Sequence, residues 1–224
     1  MLLRIPGVLS PEELTTVANA VSRARFVDGR LTAGKAAEKV KNNLELDRGS
    51  EVRDPLNRAL VGSLYRSELF RNGALPHRVA TPIIARYTPG MRYGDHIDDP
   101  IMGPDSGRYR TDVSCTIALS GPEEYQGGEL VIRTPFGEQY IKLDAGDAVI
   151  YPSGTLHRVE EVTAGERLVA VLWIQSLVRD PEKRELLYNL SQARESLLKR
   201  EPGSPECDAV DHSYINLMRM WSEL

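Results

Sequence analysis

His96 and Asp98 stand two residues apart in the stretch from Tyr87 to Asp98, which reads as extended. On a strand, residues i and i+2 point to the same face. An imidazole and a carboxylate therefore converge on one point, with Ile97 turned away. His157 offers a third ligand: it follows a Pro152-Ser153-Gly154 turn and opens the next extended run. It lies far enough from Asp98 for the chain to cross a β-barrel and return to the same mouth. Two His and one Asp on one face of an octahedron leave three positions open. That donor set suits a non-haem Fe(2+) that must bind a chelating cosubstrate and dioxygen together.

Arg167 bears on the same chemistry. It begins the apolar run Leu168-Val169-Ala170-Val171-Leu172-Trp173-Ile174, where a charge is unwelcome. A guanidinium buried there needs a carboxylate, which its planar fork binds bidentately. No acid in the sequence is an evident partner. A dicarboxylate cosubstrate would serve, with its 2-oxo acid end on the iron and its far carboxylate on Arg167. The competing reading is an exposed Arg beside Glu166 at a hairpin end. Register separates the two. A loop over 162–166 places Glu161 opposite Arg167 and puts His157 and Arg167 on one face. A tight Ala164-Gly165 turn pairs Arg167 with Val162 and points it the other way. His77 and His212 have no partners at useful spacing and read as surface or loop residues.

The elements that must position these groups follow from pattern. From Val79 to Ser176 the chain runs in short apolar stretches broken by Gly and Pro: 79–88, 92–98, 109–119, 128–134, 138–143, 147–151, 155–162 and 167–176. Eight such runs predict an antiparallel sandwich or barrel. Residues 167–176, apolar on both faces, read as a central strand. Asp99 to Arg108 reads as a loop beside the metal strand. Gly127-Gly128 reads as a turn into Glu129-Leu130-Val131, and Gly146-Asp147 as a turn before a core strand.

Helices are predicted on either side. Leu2 to Leu9 is a short strand, and Ser10-Pro11-Glu12-Glu13 then caps a helix running to about Ala24. Residues 26–50 read as loop with one helical turn. Asp54-Pro55 repeats the cap signature, and Leu56, Leu60 and Leu64 form one helical stripe. Asp180-Pro181 caps a further helix with Leu186, Leu190, Ala193 and Leu197 on one face. Asp211 caps a last one, whose Ile215, Met218 and Trp221 need cover from the barrel or from a second copy. The domain plan is a helical and mixed segment over 1–77 packing on the core, a jelly roll over 78–177, and a helical extension over 178–224.

Gross composition narrows the function classes. Apolar residues make up 41% of the 224, enough for a sizeable core. A net charge of −4 advertises neither nucleic acid nor a membrane surface as partner. No apolar run approaches the roughly 20 residues that cross a bilayer, and the N-terminal stretch does not read as a signal peptide. Cys115 and Cys207 are too few and too far apart for a disulfide scaffold, and read as reduced thiols of a cytoplasmic protein.

Taken together, Tyr87, Pro89-Gly90, Tyr93, His96-x-Asp98, Gly127-Gly128-Glu129-Leu130, Gly146-Asp147, His157 and Arg167 resemble the Fe(2+)- and 2-oxoglutarate-dependent dioxygenases of the prolyl-4-hydroxylase type. The motif-bearing region spans about 78–177. Over nearly its whole length, including Asp28 to Gly34, Lys41-Asn42-Asn43 and the helical tail, the chain resembles the bacterial PKHD-type hydroxylases. The resemblance implies a double-stranded β-helix core, iron on His96, Asp98 and His157, and 2-oxoglutarate on Arg167. It implies hydroxylation of an unidentified small-molecule or peptide substrate with release of succinate and carbon dioxide, dioxygen as co-reactant, and L-ascorbate as reductant of stray ferric iron. It also raises a link to bacterial iron metabolism. Tyr87 is similar to a tyrosine near the cosubstrate in such enzymes, a core aromatic being the other reading. Lys41-Asn42-Asn43 could face the substrate mouth, but reads more simply as a solvated loop.

Two other classes fit parts of the pattern. A cupin-like module could hold a metal or small acid without oxidation. A zinc hydrolase could use the same His-Asp-His set, but it needs a general base near its water and has no use for Arg167.

Overall fold

The apolar run from Arg167 to Ser176 forms the central strand of the larger of the two main sheets. The structure, a computed structural model, describes residues 1–34 and 37–224; Lys35 and Ala36, inside the predicted 26–50 loop, lie outside the described residues. Val113–Ala118 and Ile83–Tyr87 flank the central strand, antiparallel on either side. Ala148–Pro152 and then Leu3–Ile5 extend the sheet beyond the first. Leu44–Leu46 and Phe26–Asp28 extend it beyond the second. Pro76–Val79 pairs with the far end of the central strand.

The smaller sheet runs Gly137–Ile141, Leu130–Thr134, His157–Val159, Arg92–His96, Lys41–Asn42, again antiparallel. Strand alternation decides what lies between the sheets. Ala85, Tyr87, Val149, Tyr151 and Val169 point inward from the larger sheet and pack on Leu130, Ile132, Ile141 and Val159 from the smaller. This is the predicted jelly roll.

The outer face of the larger sheet is covered by helices. Ile84, Cys115, Ile117, Leu168, Ala170, Leu172 and Ile174 meet Val17 and Val21 of helix Pro11–Ser22 and the stripe Leu56, Leu60, Leu64 of helix Arg53–Arg66. The Ser10–Glu13 capping box forms as the sequence predicts. Helix Pro181–Arg200 starts at the Asp180 cap, and helix Pro205–Trp221 packs Met218 and Trp221 against Leu75, Val178 and Leu187. Met218 and Trp221 are thus covered by this chain, while Ile215 stays 41% exposed. No helix among the described residues is long and apolar enough to cross a membrane.

Several expectations are corrected. Asp54 is not a cap, because its helix begins one residue earlier behind Val52, with no side-chain cap. Asp211 lies inside the last helix, which Ser204 caps; its carboxylate accepts from Arg194 Nε at 2.6 Å. The buried face of the Asp180-capped helix is Arg184, Leu187 and Ser191, leaving Leu186 59% exposed. Arg184 can sit there because its guanidinium donates to the carbonyls of Val178 and Arg179 at 2.7 Å. Residues 26–50 are not plain loop, since they supply three short strands.

Candidate metal centre and its pocket

The two candidate histidines are cross-strand partners. His157 lies opposite His96 in the smaller sheet, and their ring centroids are 4.2 Å apart. The strand carrying His96 ends at that residue, so Asp98 is placed by the irregular segment that follows rather than by strand alternation. Ile97 still turns outward, 54% exposed. The Asp98 oxygens lie 4.0 Å from His96 Nε2 and 3.9 Å from His157 Nε2. One ligand atom from each of the three residues falls within 4.8 Å of the others. The three residues thus turn their ligand atoms toward one shared point, as holding a single ion would require.

The surrounding groups fix which atoms face that point. His96 Nδ1 donates to the Gly94 carbonyl at 2.8 Å and His157 Nδ1 to the Thr155 carbonyl at 2.9 Å. A carbonyl only accepts, so each Nδ1 carries the proton and each Nε2 is left with a free lone pair. Burial, then the neighbouring His157, pushes His96 down to about 4, which keeps the ring neutral and able to ligate. Tyr93 stacks on His96 with centroids 3.6 Å apart, and Tyr151 meets His157 edge-on at 5.1 Å. Asp98 Oδ2 accepts from the Ser114 hydroxyl, which in turn lies 2.8 Å from Ser153 Oγ. Ser114 has one proton to give. With it on Asp98, Ser153 must donate to Ser114, and the carboxylate is held at the end of a hydroxyl chain.

Arg167 opens into the same pocket from the other sheet. It pairs with Tyr87 in register, is 4% exposed, and its Nη1 has no hydrogen-bond partner among the described residues. Neither predicted hairpin register applies. The segment Val162–Gly165 forms its own short strand and pairs with Tyr125–Gly127, so the His157 and Arg167 strands lie in opposite sheets. Gly128 makes the approach to Arg167 feasible: its φ is +67°, and a Cβ there would sit 3.0 Å from Arg167 Cδ.

Tyr87 is both of the things the sequence allowed, a core aromatic and a wall of this pocket. Burial pushes its hydroxyl up to about 12, against the opposing pull of the Arg167 charge. The phenol is neutral at ordinary pH and free to donate. Lys41, Asn43 and Glu45 also line the cavity. The expected solvated loop at 41–43 is overturned for two of its three residues: Asn42 is exposed, but Lys41 and Asn43 face inward. A Lys was hidden from sequence reasoning because its buried partner, Glu45, lies in a strand that composition did not mark. His77 and His212 are on the surface, as expected.

The residues fit an iron ion and a 2-oxo dicarboxylate. The donor set is two imidazoles and one carboxylate, and the unpartnered Nη1 of Arg167 is what a distal carboxylate would satisfy.

Comparison with known proteins agrees with that chemistry. A family model described as the 2OG-Fe(II) oxygenase superfamily matches residues 82–175, and one described as the PKHD-type hydroxylase C-terminal domain matches 182–223. A PKHD-type hydroxylase of Thioalkalivibrio sulfidiphilus is 49% identical over 224 residues, covering 100% of both chains. Among solved structures, a Pseudomonas putida prolyl-4-hydroxylase aligns with a TM-score of 0.55 at 22% identity, over 78% of this chain and 92% of that one. A Trichoplax adhaerens prolyl hydroxylase, solved with a peptide fragment of hypoxia inducible factor, aligns with a TM-score of 0.54 at 20% identity, over 83% and 86%. The last two speak for the jelly-roll fold.

Proposed function

Because this chain belongs to the PKHD-type hydroxylases, oxidoreductases of the 2OG-Fe(II) oxygenase superfamily, we propose that His96, Asp98 and His157 hold the ferrous ion and Arg167 the far carboxylate of 2-oxoglutarate. When bound, iron and 2-oxoglutarate supply the oxidising power: dioxygen converts the 2-oxo acid to succinate and carbon dioxide, and one oxygen atom enters a C–H bond of the substrate.

The side chains do the rest. Asp98 gives one negative charge to balance the dication, and Ser114 keeps that carboxylate from rotating away. The two Nδ1–H donors hold both imidazoles in the ligating tautomer. Arg167 neutralises and orients the cosubstrate, with the Tyr87 hydroxyl beside it. Leu130, Val159 and Val171 line the same space and keep water from the reacting centre. No acid–base residue is assigned, since the reaction asks for none.

The observation that carries this reading is the unpaired Arg167 nitrogen in the pocket of the His-Asp-His cluster. A zinc hydrolase would leave that nitrogen without a role. A cupin-like binding module would not produce succinate.

The substrate is a small molecule or a peptide. The mouth continues into a larger groove that shares Thr32, Glu45, Asp99, Met102 and Trp173 with the pocket and carries Arg48, Arg53 and Arg78. That wall favours a substrate with an anionic group. The test is a metabolite screen, weighted to acids, for substrate-stimulated succinate release by the iron-loaded protein. L-Ascorbate should prolong turnover by returning ferric iron to Fe(2+). No succinate from 2-oxoglutarate across that screen, with iron and oxygen present, would overturn the assignment.

A further inference from the structure

Asn43 is 3% exposed, yet neither Oδ1 nor Nδ2 has a hydrogen-bond partner among the described residues. A buried amide left unpaired is destabilising, and native proteins seldom keep one without a use. Its place in the fold is specific. The chain leaves the smaller sheet at Asn42, which pairs with Arg92, and enters the larger at Leu44, which pairs with Arg86. Asn43 is the residue in between. Its carbonyl accepts from Gly29 N at 2.9 Å, which anchors the crossing.

The side chain occupies the space a Cβ on residue 29 would need: such an atom would lie 2.0 Å from Asn43 Oδ1. With Oδ1 against Gly29, the amide nitrogen is the end left for the pocket, which Asn43, Tyr87 and Arg167 all line. Three groups able to donate therefore meet in one buried corner: Arg167 Nη1, Asn43 Nδ2 and the neutral Tyr87 phenol.

We propose that Asn43 is a further 2-oxoglutarate-binding residue, its amide nitrogen donating to the distal carboxylate beside Arg167 and Tyr87. This rests on the cosubstrate reading above. A carboxylate offers about four lone-pair sites. An arginine fork fills two, and the phenol and the amide fill the others. Gly29 has the supporting role of leaving room for the amide.

The test uses full-length, Fe(2+)-loaded protein without oxygen. The visible charge-transfer band of a 2-oxo acid chelated to iron reports binding without turnover. Each variant is titrated with 2-oxoglutarate and with pyruvate, which chelates but has no distal carboxylate. Asn43→Ala should weaken 2-oxoglutarate by roughly 10- to 100-fold, the usual range for a hydrogen bond to a charged group, and leave pyruvate unchanged. Asn43→Asp should weaken 2-oxoglutarate further, by repulsion, again sparing pyruvate. Unchanged 2-oxoglutarate binding in Asn43→Ala, or an equal loss for both acids, overturns the proposal. If the alanine variant does not fold, Asn43→Ser is judged by the same two titrations. Arg167→Ala separates the two claims. If it loses 2-oxoglutarate while Asn43→Ala does not, Asn43 alone is misassigned; if neither loses it, the Arg167 reading falls as well.

Discussion

Arg167 lies directly across the ladder from Tyr87, with its guanidinium carbon 5.0 Å from the centre of the phenol ring. The aromatic face covers a charge that has one nitrogen unpaired. Arg167→Ala should raise the 2-oxoglutarate requirement by the equivalent of about 2–5 kcal/mol, the range for truncating one side of a buried charge pair. At about 1.4 kcal/mol per decade, that is about 30-fold to several thousandfold. Calorimetric titration of the iron-loaded variant checks it. An unchanged affinity would mean that the guanidinium serves only the barrel.

Ser114 holds Asp98 without being a ligand itself. Removing an outer hydrogen bond of this kind commonly lowers metal affinity 10- to 100-fold. Ser114→Ala should do so in a Co(II) titration while the unfolding midpoint stays close to that of the parent. His96→Ala and Asp98→Ala should abolish 2-oxoglutarate turnover with the fold intact. Full turnover in either would refute the ligand assignment.

The alkaline limb of stability should depend on Tyr87. Its folded value, pushed up to about 12 by burial, exceeds the value of about 10 expected when unfolded. The folded state therefore holds this proton more tightly. The contribution is fully present below pH ~10 and is lost as pH rises toward about 12, because the unfolded chain releases its proton first. Urea unfolding from pH 8 to 11 should show stability falling above about pH 10, and falling less steeply in Tyr87→Phe. Equal slopes in parent and variant would contradict this.

Lys41 and Glu45 form a buried pair inside the barrel, Nζ to Oε1 2.5 Å, with side chains 8% and 4% exposed. Thr32 bonds to both. Lys41→Met strands the carboxylate and should destabilise by about 3–5 kcal/mol. Lys41→Met combined with Glu45→Leu should recover most of that loss, since two apolar groups replace two charges. Urea denaturation of the single and double variants decides it. A single-variant loss below about 1 kcal/mol, as for a solvated pair, would show that water reaches the pair.

That His96, Asp98, His157 and Arg167 share one pocket was legible from residue type and spacing, because such side chains are unusual in an apolar, strand-rich segment. The alternating runs likewise announced the jelly roll, and Ser10 and Asp180 announced their helices, because caps and alternation are local properties of the chain. What needed the tertiary structure was pairing between distant segments. The sequence offered two hairpin registers for His157 and Arg167; the fold places them in opposite sheets, with Val162–Gly165 paired elsewhere. Lys41, Asn43 and Glu45 read as polar loop, and only the crossing between sheets turned them inward. Whether a polar side chain faces solvent or a cavity depends on what lies across from it, and that neighbour is set by packing rather than by adjacent residues.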